Sequence, residues 1–238
     1  MKILLVADLH LNSCWFDWVV NEADRFDLVA IAGDVLNAFS DRRLLDQVND
    51  VTKWLMHLKC PLVICSGNHD YWSKSPRVIE EDQNAEAAWI KRLKGRGQII
   101  GIDGDVVNFQ PKFSDDAPTR IVVNGWLQTP ELDGEVDIVV THSPPSSCYC
   151  SIGDEGYDVG DTDLWPALQY HPPKLILSGH VHRPYKFISS WPQVESQSLI
   201  LVPGVSGNGK TPAHWNIDTG LGRAVHSSGV GATFRWDS

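Results

Sequence analysis

Cationic residues are scarce: 20 Lys and Arg stand against 30 Asp and Glu, a formal net charge of −10. Non-specific affinity for nucleic acid comes from Lys and Arg neutralising phosphates, so this balance excludes an extended duplex as partner. It does not exclude a phosphate ester, because metal ions bound in an acidic site make that site locally positive. Cysteine is sparse too, at positions 14, 60, 65, 148 and 150. The five form an odd set with no CxxC pair, which removes a closed thiolate zinc site. Cys65, inside the apolar run LVIC, reads as a small buried residue, and Cys148 and Cys150 read as part of an ordinary reduced loop. No apolar run reaches membrane-spanning length, so no membrane association is expected. In MKILLVADLH the run covers only Ile3 to Ala7 before Asp8 interrupts it, which is a strand and not a secretory segment. A reducing, cytoplasmic location is the expectation. Repeats, low-complexity tracts and dividing linkers are also missing, and 238 residues suit one domain over 1–238.

What is present is an ordinary soluble composition, 42% hydrophobic and 21% charged, enough to bury a core. Ile3–Ala7, Leu28–Ala32 and Leu62–Cys65 are short continuous apolar runs, the pattern of strands buried on both faces. Between them, Ser13 to Asp24 and Asp41 to Lys59 read as helices. The second carries Leu44, Leu45, Val48, Val51, Trp54, Leu55 and Leu58 on one stripe, with Ser40 or Asp41 as cap. A third helix is expected around Glu80–Lys94, and a fourth near Thr162–Tyr170. Strands are expected at 98–102, 105–109, 119–126, 137–141, 174–178, 185–190, 198–202, 213–217 and 223–227. Alternating strands and helices at the start imply parallel βαβ units.

The strand ends share one chemistry. The first ends in Asp8-Leu9-His10, the second in Gly33-Asp34-Val35-Leu36-Asn37, and the third in Gly67-Asn68-His69-Asp70. DIVVTH ends at His142, and KLILSGHVH at His180-Val181-His182. Any one of these alone is ordinary: a turn carboxylate, a surface histidine, a solvated loop. Five strands ending in Asp, Asn or His are not. Carboxylate oxygen with imidazole nitrogen is the ligand mixture for Mn, Fe, Zn or Co. Seven such ligands exceed one tetrahedral ion and suit two ions sharing a bridging carboxylate.

In these ordered motifs the chain resembles the calcineurin-like metallophosphoesterase superfamily, whose pattern DxH, GDxx[DN], GNH[DE], H, GHxH is matched from residue 1 to about 205. The resemblance implies an α/β fold, a four-layer αββα sandwich with two mixed β-sheets and a dinuclear metal site at the strand ends. It implies that Asp8, His10 and His182 hold one ion, that Asn68, His142 and His180 hold the other, and that Asp34 bridges them. His69 is then the unligated catalytic imidazole, protonating the leaving oxygen or stabilising charge on the phosphoryl group. Asn37 occupies the position that orients it. A hydroxide bridging two divalent ions would attack the phosphorus.

Departures from the pattern narrow the subfamily. Phosphoprotein phosphatases carry GDxVDRG and GNHE, where this chain has GDVLNAF and GNHD; a small phosphodiesterase-like member fits better. The expected substrate is a small phosphate ester, a phosphodiester first. A nuclease acting on short oligonucleotides is the alternative, and a non-catalytic scaffold of the same fold is a more distant one. Arg183, adjoining His182, is the candidate substrate-binding cation. Tyr71, Trp72, Lys74, Arg77 and Trp126 are further cleft candidates, while His57, His171, His214 and His226 read as structural or solvent-exposed.

Overall fold

The computed structural model describes residues 1–70, 88–112, 117–126, 128–130, 132, 134–191, 194–205 and 209–236. The first half runs β1 (Lys2–Val6), α1 (Ser13–Ala23), β2 (Leu28–Ala32), α2 (Leu44–Leu55), β3 (Leu62–Cys65), α3 (Ala88–Lys91) and β4 (Ile99–Gly101). Then come β5 (Val106–Phe109), β6 (Thr119–Asn124), β7 (Ile138–Thr141), α4 (Leu164–Leu168) and β8 (Leu175–Leu177). The chain continues through β9 (Tyr185–Trp191), β10 (Ser196–Val202), β11 (His214–Asp218), β12 (Arg223–His226) and β13 (Gly231–Thr233).

Two mixed sheets result, in the orders β13-β12-β11-β1-β2-β3-β4 and β5-β6-β7-β8-β10-β9. In the first, β1 to β4 are parallel and β11 joins β1 antiparallel. In the second, β6, β7, β8 and β10 are parallel, with antiparallel strands at both edges.

Strand period sorts the apolar residues into three separate layers. Along β2, Val29 and Ile31 face α1 and α2, while Leu28, Ala30 and Ala32 face the other sheet. Along β7, Ile138 and Val140 enter that inter-sheet layer, and Val139 packs outward with Leu164 and Leu168 of α4. Three apolar layers between helices, sheet, sheet and helix are the αββα sandwich. Each fully buried Leu, Ile or Val contributes about 1.5–3 kcal/mol.

The helices are shorter than their apolar patterns. α1 keeps its expected start because the Asn12 side chain accepts the Trp15 N–H at 3.3 Å. α2 begins at Leu44, and neither Ser40 nor Asp41 caps it. Ser40 Oγ instead accepts the Arg42 N–H two residues on, a local turn that competes with helix. Leu45, expected on the buried stripe, faces solvent. Of the third helix only Ala88–Lys91 is seen as helix, since most of its expected span lies outside the described residues. α4 accommodates Pro166 in its first turn, where no backbone N–H is needed.

Candidate metal centre

Parallel strands put their C-terminal ends on one side of a sheet, and two facing sheets bring five such ends together. The loops after β1, β2, β3, β7 and β8 carry Asp8 and His10, Asp34, Asn68 and His69, His142, and His180 and His182 respectively. The first two loops are bonded to each other: Asp8 N–H donates to Gly33 O at 3.1 Å and His10 N–H to Asp34 O at 3.0 Å. Asp8, His10, Asp34 and His180 all sit at left-handed φ, 53°, 42°, 55° and 65°. For residues with a Cβ this costs on the order of 1–3 kcal/mol each and persists only where surroundings enforce it, typically at functional sites. Gly67 is required for a different reason: a Cβ there would overlap the Asp34 carboxylate.

Asp34 is the centre of the cluster. Its Oδ2 lies 3.4 Å from His142 Nε2, 3.9 Å from His69 Nε2 and 4.0 Å from His10 Nε2. Asp8 Oδ1 lies 3.9 Å from His10 Nε2, and Asn68 Oδ1 lies 3.0 Å from His142 Nε2. The His142 and His180 rings are 5.0 Å apart, and those of His10 and His182 are 6.2 Å apart. Ligand atoms of Asp8, His10 and His182 fall within 4.8 Å of one another, as do those of Asp8, Asp34 and His142.

The far ring nitrogens separate the histidines into two kinds. His142 donates Nδ1–H to Ala32 O at 2.8 Å, and His10 donates Nδ1–H to Leu36 O at 3.2 Å. Both therefore turn Nε2 to the cluster, where His142 holds a proton toward Asn68 Oδ1 at 3.0 Å and would offer a lone pair once that proton is lost, the second-sphere arrangement of a metal-ligating imidazole. His69 is wired in reverse: its Nδ1 accepts the Ala38 N–H at 3.1 Å, and its neutral ring carries the proton on Nε2. That nitrogen has no lone pair to give a metal. Ligand atoms of His10, Asp34 and His69 also fall within 4.8 Å of one another, and the ring wiring alone sets His69 apart from His10 and His142.

The charges fit bound cations. Asp8 and Asp34 are both buried and adjacent, and Asp8 Oδ1 has no hydrogen-bond partner. Burial, with the Asp34 charge, pushes Asp8 up to about 7, although His142 opposes this. Burial would raise Asp34 as well, but His142, His69 and His10 outweigh it and hold Asp34 low. His142 rises to about 9: burial disfavours its charge, and Asp34 and Asp8 overcome that. Burial lowers His180 to about 3, with His142 adding to the effect. A metal-free cluster thus keeps protons where a divalent ion would replace them. The oxygen and imidazole donor set suits such ions.

Residues 1–184 match the sequence profile of the calcineurin-like phosphoesterases. The chain belongs to the calcineurin-like phosphoesterase family. No curated protein shows a significant sequence match. Among solved structures, TT1561 of Thermus thermophilus aligns with a TM-score of 0.57 at 12% identity, covering 91% of this chain and 93% of that one. The NAD nucleotidase NadN of Haemophilus influenzae aligns at 0.52 and 12% identity, over 99% of this chain and 49% of its own. YfcE, a phosphoesterase from E. coli, aligns at 0.45 and 14% identity over 98% of both chains. At these identities the likeness concerns the fold.

In this calcineurin-like phosphoesterase, Asn37 and Arg183 make contacts that the sequence did not indicate. Asn37 does not hold His69 through its side chain, because its Oδ1 accepts the Phe39 N–H at 3.0 Å and closes the turn. That turn presents the Ala38 N–H to the imidazole, so Asn37 acts one step removed. Arg183 is exposed and paired with Asp154 at 2.9 Å, with its Nη2 also 3.3 Å from Asp154 O. His214 and His226 bond to Pro212 and Pro203 carbonyls and serve the fold. Tyr71, Trp72, Lys74 and Arg77 lie outside the described residues. Trp126 does reach the site, its ring 5.2 Å from His180 and 5.7 Å from His142. Cys148 and Cys150 are buried with their sulfurs 2.7 Å apart.

Two buried carboxylates escaped the sequence reading. Asp70 accepts the N–H groups of Asp34 at 2.7 Å, Leu36 at 2.9 Å and Gly67 at 2.9 Å, tying two ligand loops together. Asp103 accepts both Ser66 N–H and Ser66 Oγ–H, and Ser66 Oγ in turn accepts the Trp126 N–H at 3.0 Å. Asp70 is visible in GNHD as a letter, but its partners lie 34 and 36 residues away and no local pattern announces them.

Proposed function

We propose that this protein is a dinuclear metal-dependent phosphoesterase that prefers small phosphodiesters. The observation that carries this reading is the opposite wiring of His10 and His142, as lone-pair ligands, against His69, as an N–H donor, around one carboxylate. Asp8, His10 and His182 would hold one ion and Asn68, His142 and His180 the other, with Asp34 between them. When bound, two divalent ions supply an activated water and neutralise phosphate charge.

The remaining work falls to the chain. His69 Nε2–H, fixed by the Ala38 N–H behind it, donates to a phosphoryl or leaving-group oxygen as negative charge builds there. A protonated His69 would set Nδ1–H against the Ala38 N–H, so the ring acts by stabilising charge and not by giving up a proton. Phe39, mostly exposed, stands edge-on to the His69 ring at 4.9 Å and shields it from one side.

The test is hydrolysis of p-nitrophenyl phosphate and bis(p-nitrophenyl) phosphate by protein reconstituted with Mn, Fe, Zn or Co. A higher kcat/KM on the diester supports the reading. Preference for the monoester removes the diester assignment, and no turnover with any of the metals removes the function.

A further inference from the structure

The histidines of the centre are not all oriented by the same means. His10 and His142 each donate Nδ1–H to a backbone carbonyl, those of Leu36 and Ala32. Among the described residues the His180 ring has no hydrogen-bond partner, and only its backbone N–H is bonded, to Asp8 Oδ2 at 3.1 Å. What meets the ring is aromatic: the His142 imidazole at 5.0 Å and 62°, and the Trp126 indole at 5.2 Å and 54°. These are the separations and inclinations of favourable aromatic pairs. Trp126 also stands 5.7 Å from the His142 ring, so one indole bears on both imidazoles.

The indole is itself held by a buried network. Trp126 N–H donates to Ser66 Oγ at 3.0 Å, and that hydroxyl donates to Asp103 Oδ2 at 2.6 Å. Asp103 Oδ1 accepts the Ser66 N–H at 2.7 Å, so one carboxylate fixes both donors of the serine. Ser66 is fully buried and Asp103 nearly so. Gly125 has to lack a side chain, because a Cβ there would fall 2.5 Å from Asp103 Cγ. From the other side, Asn124 Nδ2 donates to Gln128 O at 3.0 Å and Gln128 N–H to Gly125 O at 3.2 Å, closing the turn that carries the indole. Burial of a carboxylate costs free energy, and here it secures the backbone of one tryptophan. Ser66 lies two residues before Asn68, so the network also borders the third donor assigned to the same ion.

We infer that Trp126 is a positioning residue for His180: by packing, it does for that ring what the Leu36 and Ala32 carbonyls do for His10 and His142, and Ser66 and Asp103 hold it in place. The inference rests on the dinuclear reading above. Outer partners fix the ring orientation of a metal-ligating imidazole. A ring without an acceptor turns more freely about its Cβ–Cγ bond, and an indole against it narrows that rotation. The orientation so fixed belongs to the ion held by Asn68, His142 and His180, and not to the one held by Asp8, His10 and His182. The role needs an aromatic ring, which phenylalanine supplies and alanine does not.

Equilibrium dialysis of Mn against chelator-stripped protein tests this without turnover. Trp126→Ala should weaken one of the two equivalents by about tenfold, the lower end of what losing an outer partner costs, and leave the other. Trp126→Phe should restore most of that affinity, and Ser66→Ala should show a smaller loss of the same single equivalent. In a His180→Ala background, Trp126→Ala should add nothing, since the ring it positions is gone. A general weakening of the fold would lower both equivalents and would persist without His180. Loss spread over both equivalents, loss that persists in the His180→Ala background, or wild-type affinities in Trp126→Ala each overturn the role while leaving two bound ions in place. A wild type that binds one Mn, weakened by Trp126→Ala only while His180 is present, upholds the role and removes the dinuclear reading.

Discussion

Replacing Asp70 with Asn tests how the centre is held together. The carboxylate accepts three backbone N–H groups, those of Asp34 and Gly67 on Oδ2 and that of Leu36 on Oδ1. An amide has one oxygen. Its best orientation keeps that oxygen on Asp34 and Gly67 and turns its NH₂ toward the Leu36 N–H. One buried donor is left unmade, at about 1–3 kcal/mol. In a chain of this size each kcal/mol moves Tm by roughly 2–4 °C, so a fall of roughly 2–12 °C is expected. The Leu36 carbonyl receives the His10 Nδ1–H, so the same disturbance reaches a ligand. Loss of such outer partners weakens metal affinity by about 10–100-fold. The assay is calorimetric unfolding of chelated protein, followed by Mn titration. It should be run at pH ~9, because burial and the Asp34 charge push Asp70 up to about 8 and wild type must present the carboxylate. An Asp70→Asn protein with wild-type Tm and metal affinity would refute the clamp.

Other expectations follow from the same geometry. His69→Ala should keep its metals and lose roughly 10²–10³-fold in kcat, the scale of removing one charge-stabilising donor; a lost metal equivalent, read by mass spectrometry, would make His69 a ligand. Asp34→Asn should weaken both metal sites, whereas His10→Ala should weaken one, and equilibrium dialysis separates the two patterns. Asp8 at about 7 and His142 at about 9 hold protons that metal must displace. Metal affinity should therefore rise with pH across that range, with proton release seen by calorimetry in different buffers. In chelated protein, Asp8 and Asp70 have folded values of about 7 and 8 against 3.8 ordinarily. Their contribution to stability is full below 3.8 and is lost as pH rises through those values, whereas His180, His10 and His69, lowered from 6.5, add stability up to that pH; above 6.5 Tm should therefore fall with rising pH until metal is added.

The residues of the cluster were legible in the sequence because each follows a strand whose apolar run is unmistakable. Leu28–Ala32 and Leu62–Cys65 occur as strands with the expected ends, since burial on both faces leaves no room for ambiguity. The start of α2 was not legible, because Ser40 serves a turn as readily as a cap. β13 was missed: Gly231–Thr233 is three residues long with two of them exposed, too short for a period to show. The roles of Asp70, Asp103, Leu36 and the Ala38 N–H depend on bonds spanning more than 25 residues. Such pairings exist only once the sheets are assembled. Adjacency of Arg183 to His182 says nothing of Asp154, which reaches it from another loop.

Phosphoester hydrolysis should require a pair of metal ions held on either side of Asp34. Stripping the protein with chelator, titrating Mn back, and following bound metal and bis(p-nitrophenyl) phosphate hydrolysis together measures this requirement. The stripped protein should not turn over, activity should rise to a plateau at two equivalents per chain, and Asp34→Asn should show neither the second equivalent nor the activity. Full turnover by thoroughly metal-free protein, or a plateau at one equivalent, would contradict it.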